Sequence, residues 1–524
     1  MKQSAFLPVL LSGVLLLGAC ERKDFDYVLP QPKVSFTDGR NARAGIPSGT
    51  VRANLTLQTI EEIQSLQIKQ SINGAAATDL TPVTEFGNAV LNSIVYPYPV
   101  PATAKAGDMI KLAIEVLDKK GNRSAPVEFT VNVVGALFES KTITVNGQEV
   151  IEMAPPAGAA TAIINQDEFT FESNKKYLLR GVTQVEEGVT VVMQGGTTIY
   201  ASTDNPATVV MFSVPAGAFI RANGTAAQPV VMTSDKVLKS TTPVPGDWRG
   251  LTITGRARTA ATDNSGTLRY VRIEYGGREE AAPSTQSSGG ILFTSVGSGT
   301  TVQYVQSYKS LGQGIRFNGG TVRCKYLIAT DPGQEGFRFD DDNGSGFTGF
   351  GQFWISNNAS VNRDAEEVGI RDGANPRLAN VTVLGRGAVS GSDDGLRIRS
   401  TAGGYRIFNM IMAQIPDDGA RIELPGTGAG LTDDKVIGHS YLFDIRDQAL
   451  RDNGTVFSQE VYKNIIGTRI AGIAVNDYTP DGSGQASDYD PKALNSWFDA
   501  AKFIGAIRDS NADSDWTAGG WSKK

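Results

Sequence analysis

DDGLRIRS, Asp393–Ser400, recurs in altered form along the second half of the chain: DDGARIE at Asp417–Glu423, EGFRFDDD at Glu335–Asp342, and shorter versions QGIRF (Gly314), VGIRD (Gly369) and QALRD (Ala449). GGILF at Gly290 and RGLTI at Gly250 read as less regular members. From Gly290 onward the successive intervals are 24, 22, 33, 26, 24 and 30 residues. Each phrase is followed by a second run of alternating apolar residues, such as TVRCKYLIA, GQFWIS or RLANVTVLG. Two or three short strands per unit, with no helix-length segment between them, exclude alternating strand–helix folds. The repeat length fits an all-β right-handed parallel β-helix, in which each coil stacks on the last. Long intervals then carry outward loops, DDDNGSGFTG (Asp340–Gly349) among them.

Strand alternation sends Leu396 and Ile398 into the coil interior and Arg397 and Arg399 outward. The same counting places Arg316, Arg338, Arg371, Arg397, Arg421 and Arg451 at one equivalent outward position, about 4.8 Å from rung to rung. Like charges at that spacing repel by about 0.9 kcal/mol per pair even in water, so the ladder needs anions. Carboxylates stand just before the repeated Gly (Glu335, Glu367, Asp393, Asp394, Asp417, Asp418) and after the strand (Asp340, Asp372, Glu423, Asp452).

Three readings follow. The first is an ion-pair ladder that fixes coil register. The second is a groove in which Arg316, Arg338, Arg371, Arg397, Arg421 and Arg451, with Glu335, Asp394 and Asp418, bind an anionic or sugar ligand. The third is catalysis of glycan cleavage by Asp393, Asp394, Asp417 and Asp418. Carboxylate spacing does not separate them, because glycosidase pairs span about 5 to 9.5 Å and acids on neighbouring coils meet that by construction. At FDDDNGSG, Asp340, Asp342 and Asn343 offer a weak Ca²⁺ site or a plain polar loop tip; the spacing lacks the alternation and distant Glu of an EF-hand. No other cofactor is expected.

Composition sets the bounds. The 524 residues include 59 Gly, 20% charged residues, one His and a net charge of -6, a turn-rich β composition with no basic field for nucleic acid. Lys2, the apolar stretch Ala5–Leu17 and LGAC (Leu17–Cys20) read as a secretory signal over 1–20. LGAC resembles a bacterial lipobox, which implies acylation of Cys20 and a lipid anchor in a membrane. Residues 21–33 form a tether. Residues 34–135 alternate as strands with the turn KKGN, and resemble the small immunoglobulin-like β-sandwiches that space lipoproteins from a membrane. The β-helix is expected over 140–490. Residues 491–524 are expected to form a C-terminal cap, with an amphipathic helix at ALNSWFDAAKFIGAI (Ala493–Ile507). With Cys20 acylated, Cys324 has no disulfide partner; in TVRCKYLI it falls on the inward face as a small hydrophobe. Trp248 and Tyr275 could stack on a sugar, although Trp248 at a turn into a strand reads better as packing.

The phrases GDWRGLTITGRA (Gly246–Ala257), NSGTLRYVRIEYGG (Asn264–Gly277), GSGTTVQYVQ (Gly297–Gln306) and DWTAGGW near the C-terminus resemble a group of surface lipoproteins from Bacteroidetes. That resemblance implies an outer-membrane, cell-surface location, a monomer, and capture of glycans or other ligands beside a nutrient-uptake receptor. It implies no reaction, so the favoured expectation is a non-catalytic binding or scaffold protein, with an adhesive protein-binding module as a further alternative. The enzyme alternative draws on DDGLRIRS, which is similar to the paired-Asp motif of polygalacturonases. Their His-containing motif and Arg-x-Lys are not found here: His439 lies in IGHSYLF.

Overall fold

The computed structural model describes residues 31–524 apart from 38, 167, 174, 279–288, 359–365, 388–392 and 453–455. The signal, Cys20 and most of the tether lie outside the described residues. The chain divides into two compact units. One holds the chain up to Asn41 with Asn54–Ile94 and Lys111–Phe129; the other holds Ala42–Ala53, Val95–Ile110 and Thr130–Lys524.

The N-terminal strands form two sheets, Lys33–Phe36, Thr50–Gln58 and Leu91–Pro99 in one, and Ala42–Gly45, Val127–Val133, Met109–Asp118, Ile63–Ile72 and Thr78–Asp79 in the other. The alternation of IKLAIEVLD is obeyed, with Ile110, Leu112, Ile114 and Val116 fully buried. Its turn is closed by the Asp118 carboxylate, which accepts hydrogen bonds from the Lys120 and Asn122 amides at 3.0 and 2.8 Å.

Beyond Glu139 the chain winds as a parallel β-helix. One parallel sheet gathers the phrase strands, including Ile291–Thr294, Ile315–Asn318, Phe337–Asp342, Val368–Ile370, Leu396–Ile398, Ala420–Ile422 and Leu450–Arg451. Its inward residues stack in register as the column Ile253, Phe293, Phe317, Phe339, Ile370, Ile398, Ile422, none more than 1% exposed. Burying each contributes about 1.5–3 kcal/mol, and the Phe293, Phe317 and Phe339 rings stack at 5.4 and 5.3 Å. The repeated Gly serves close approach. A Cβ on Gly336 would meet Ser356 Oγ at 2.1 Å, and one on Gly419 the Ala449 carbonyl oxygen at 2.5 Å.

The intervening runs form longer parallel strands: Gly266–Glu274, Thr301–Tyr308, Arg323–Thr330, Phe350–Asn357, Arg377–Leu384 and Tyr405–Ile415. Each bends at a corner residue of positive φ: Tyr270 (51°), Tyr304 (56°), Tyr326 (61°), Phe353 (61°), Asn380 (55°) and Asn409 (56°), the last strand having a second at Gln414 (59°). The register skips that residue and resumes after it. Cys324 lies fully buried inside, where burial pushes its thiol up. Trp248 is also a packing residue, 1% exposed, its indole N–H donating to the Glu274 carbonyl at 2.7 Å.

Two expectations fail. The arginines do not share one position: Arg316 pairs with Arg338, but Arg338 pairs with Gly369, Gly369 with Arg397, and only then Arg397 with Arg421 and Arg421 with Arg451. Arg371 stands two residues further on. A shift of two keeps every side chain on its face, so apolar alternation cannot detect it; aligning VGIRD by its Gly was the error.

The second failure is the cap. Ala493–Ile507 contains no α-helix, only a short 3-10 turn at Pro491–Ala493. The segment from about 470 to 524 is instead a strap that runs back along the outside of the long strands. Ile470, Ile473, Tyr478, Ile504, Ala506, Ile507 and Trp521 pack on outward Ile328, Ile355, Leu384, Ile411 and Phe443. Asn380 Nδ2 donates to the carbonyls of Ala501 (3.1 Å) and Phe503 (2.6 Å), the Asp499 amide donates to Gln352 Oε1 (2.8 Å), and the Ala506 amide to Thr382 Oγ1 (2.9 Å). These side chains satisfy the strap backbone without helical hydrogen bonds, and Gly505 at φ 90° would interrupt a helix. The strap ends near the middle coils, where Lys523 Nζ meets Glu274 at 2.7 Å and Arg272 donates to the Trp521 carbonyl.

Candidate functional site

In the observed register the residues three places before the rung position held by Arg338, Gly369, Arg397 and Arg421 form one acidic column, Glu335, Glu366, Asp394 and Asp418, fixed by backbone bonds such as Gly395 amide to Asp418 carbonyl at 2.9 Å. Glu367, one residue later, turns inward and accepts from Ser356 Oγ at 2.8 Å and Asn358 Nδ2 at 3.3 Å.

Upstream the ladder is closed on itself. Asp340 accepts from Arg316 Nε and Arg338 Nε, both at 2.8 Å. Arg371 Nη2 reaches Glu335 at 2.5 Å and Glu366 at 2.7 Å, and Arg399 reaches Glu366 at 3.3 Å. Arg397 Nη2 donates to Glu423 at 2.9 Å. Of the two readings of FDDDNGSG, the contacts are those of a polar loop tip. Asp340 is neutralised by two guanidiniums, while Asp342 turns to Ser295 Oγ at 2.6 Å and the Asn343 amide contacts Asp342 at 3.2 Å. Burial of Asp340 beside Arg316 and Arg338 gives that carboxylate partners a cation would have to displace.

Downstream the pattern changes. The structure brings Asp393, Asp394, Asp417, Asp418, Arg397, Arg421 and Arg451 together with Asp447, which the sequence reading missed. Asp418 is fully buried and accepts from Arg451 Nη1 at 2.9 Å. Asp417 faces Arg446 at 3.6 Å, and Asp393 accepts from Arg386 Nε at 2.9 Å. One oxygen each of Asp417, Asp418 and Asp447 lies within 4.8 Å of the others. Asp394 is 2% exposed, yet its nearest cation is Arg397 at 3.9 Å and its Oδ1 has no hydrogen-bond partner among the described residues. The Arg421 guanidinium makes no ion pair or hydrogen bond among the described residues. Burial first, then the adjacent Asp418 charge, push the Asp394 carboxyl up to about 7, with Arg421 and Arg397 pulling the other way.

Such a constellation can hold and release a proton near neutrality at Asp394, beside the Asp418 carboxylate to which Arg451 donates, an arrangement suited to acid–base chemistry. Glu366 and Arg399 were legible only after the two-residue shift, although Arg399 stood in the quoted stretch. Asp447, Arg386 and Arg446 sit outside the repeated phrase and carried no signal.

A family model for pectate-lyase-like β-helix domains matches residues 162–498. The chain belongs to this family. No curated protein matches it. Among solved structures, the catalytic domain of a GH87 alpha-1,3-glucanase in complex with nigerose aligns with 80% of this chain and 91% of that chain, at 10% identity and a TM-score of 0.23. The β-helix family member described here departs from a closed ladder at one place, the coils of Asp394 and Asp418.

Proposed function

We propose that the protein acts on a polysaccharide, cleaving it at the Asp394–Asp418 coils. The observation that carries this is the break in the ladder: a buried carboxyl with one oxygen free of hydrogen bonds, its nearest cation 3.9 Å away, lies one rung from an arginine-held carboxylate, beside Arg421. Asp394 serves as proton donor to the leaving glycosidic oxygen. Asp418, held by Arg451, takes the proton of the water whose oxygen replaces the leaving oxygen at the anomeric carbon, and Arg421 binds the glycan. Membership of the pectate-lyase-like family supports a glycan as substrate. The closed upstream network around Asp340, Glu335 and Glu366 supports the scaffold reading for that stretch, where the arginines hold coil register.

The same proposal places the protein at the outer membrane, anchored through an acylated Cys20, facing outward and working beside a nutrient-uptake receptor. The signal-like N-terminus and the resemblance to Bacteroidetes surface lipoproteins support it; globomycin-sensitive processing and palmitate labelling lost in Cys20→Ala would test it.

Incubation with a panel of acidic and neutral polysaccharides, scored for new reducing ends, tests the reaction. Asp394→Asn lowers the rate by about 10²–10⁴-fold, and the rate of the unaltered protein falls as pH rises through about 7, where Asp394 loses its proton. Release that is undiminished in Asp394→Asn, or absent with every glycan, refutes it.

A further inference from the structure

The strap and the corner residues enclose a second feature, remote in sequence from the Asp394 coils. Tyr270, Tyr304, Tyr326 and Phe353 stack in one column, with ring centroids 4.3, 4.3 and 4.9 Å apart, and Phe503 of the strap extends it at 6.0 Å. All four corner residues sit at positive φ, a backbone that costs a bulky residue far more than Asn, and the next two coils do use Asn380 and Asn409. Where Asn stands, it binds strap carbonyls. Where the aromatics stand, the strap meets them with rings instead, Trp516 edge-on to Tyr326 at 5.2 Å, and beside that contact lies a concavity of about 340 Å³ walled by Tyr304, Tyr326, Phe503 and Trp516. That volume is in the range of small-molecule sites.

Its rim is polar. Arg508 is exposed, its Nε donating to Asp509 at 2.6 Å and its Nη2 to Ser514 Oγ at 3.0 Å, and the Asp513 carboxylate is exposed, without a hydrogen bond or ion pair among the described residues. The Trp516 indole N–H is already given to the Ala506 carbonyl at 2.9 Å, so this residue offers the site only its ring. A neighbouring concavity of about 320 Å³, bordered by Gln485, Lys502 and Arg508, shares Phe503 with the first and lengthens the trough.

We propose that this trough is a glycan-binding site, distinct from the cleavage coils, that takes pyranose units of a polysaccharide chain. A pyranose has an apolar C–H face and a rim of hydroxyls that both donate and accept. The trough answers with aromatic walls, a carboxylate acceptor in Asp513 and, in Arg508, a guanidinium at the rim shared by both concavities. The inference does not depend on the cleavage reading.

The test is affinity electrophoresis of the full chain through native gels that each contain laminarin, dextran, xylan or polygalacturonate. At least one polysaccharide retards the protein, Asp394→Asn is retarded equally, and Asp513→Asn and Trp516→Ala bind roughly tenfold more weakly. Because Trp516 also packs the strap, the exposed Asp513→Asn, with an unchanged melting temperature, is the deciding variant. Retardation by none of the four, or retardation unchanged in Asp513→Asn, overturns the proposal. Retardation lost in Asp513→Asn without any cleavage leaves it standing and removes only the reaction.

Discussion

Asp394→Asn changes stability with a sign that depends on pH. In the folded protein burial and the Asp418 charge raise this carboxyl from its ordinary 3.8 to about 7. Below pH 3.8 the group is protonated whether or not the chain is folded, and its stabilisation relative to an ionised buried carboxylate is fully present. Between 3.8 and 7 the unfolded chain releases the proton while the fold retains it, so stability declines with rising pH until both states are ionised. At about 1.4 kcal/mol for each pH unit, the gap is worth at most about 4 kcal/mol; relaxation of Arg421 and Arg397 toward the charge brings about 2 kcal/mol into view. Asn stays neutral throughout and escapes this loss. Denaturant unfolding at pH 4 and pH 8.5 therefore finds the variant close to the unaltered protein in acid and about 2 kcal/mol more stable in base. A difference of the same size and sign at both pH values refutes the assignment of Asp394 as a buried carboxyl held neutral. The same substitution that stabilises the fold abolishes the proposed cleavage, as expected where a strained group does chemistry.

Other perturbations follow from the same contacts. Asp340→Asn removes the carboxylate shared by Arg316 and Arg338 and lowers stability by about 3–5 kcal/mol, because two poorly solvated guanidiniums lose their partner; thermal unfolding measures it. Trp521→Ala, at a fully buried site on the Tyr270 and Tyr304 rings, costs about 3–5 kcal/mol and exposes the strap to limited proteolysis before the coils are cut. Gly336→Ala drives a Cβ against Ser356 Oγ at 2.1 Å and destabilises by about 1–3 kcal/mol, read as a lower denaturation midpoint with an unchanged slope.

The coils were legible because the interior imposes a period of two on every rung: Leu396 and Ile398 could be assigned inward from the text, and the coordinates agree. The identity of each rung's partner was less legible. Val368 and Ile370 satisfy the interior equally well in either of two registers two residues apart, and only the acid at Glu366 marks the correct one. The strap was misread for a different reason. Leu494, Phe498, Ile504 and Ile507 are spaced as a helix would space them, but polar side chains on separate coils satisfy their backbone, a tertiary influence that local pattern does not carry. The carboxylates of the candidate site were visible, whereas which of them lacks a cation was decided by Arg386, Arg446 and Arg451, from turns and a neighbouring rung.

A simple solenoid couples each winding only to the one above and below, so it can melt from an end inward. Here residues 470–524 bind windings from Arg272 to Phe443 at once. Loss of any one of those windings loosens the hold on all of them, which makes the block unfold as a single cooperative body. It also means that the block gains its latch only once residues 470–524 have been made, so a product lacking them leaves outward Ile328, Ile355, Leu384, Ile411 and Phe443 uncovered.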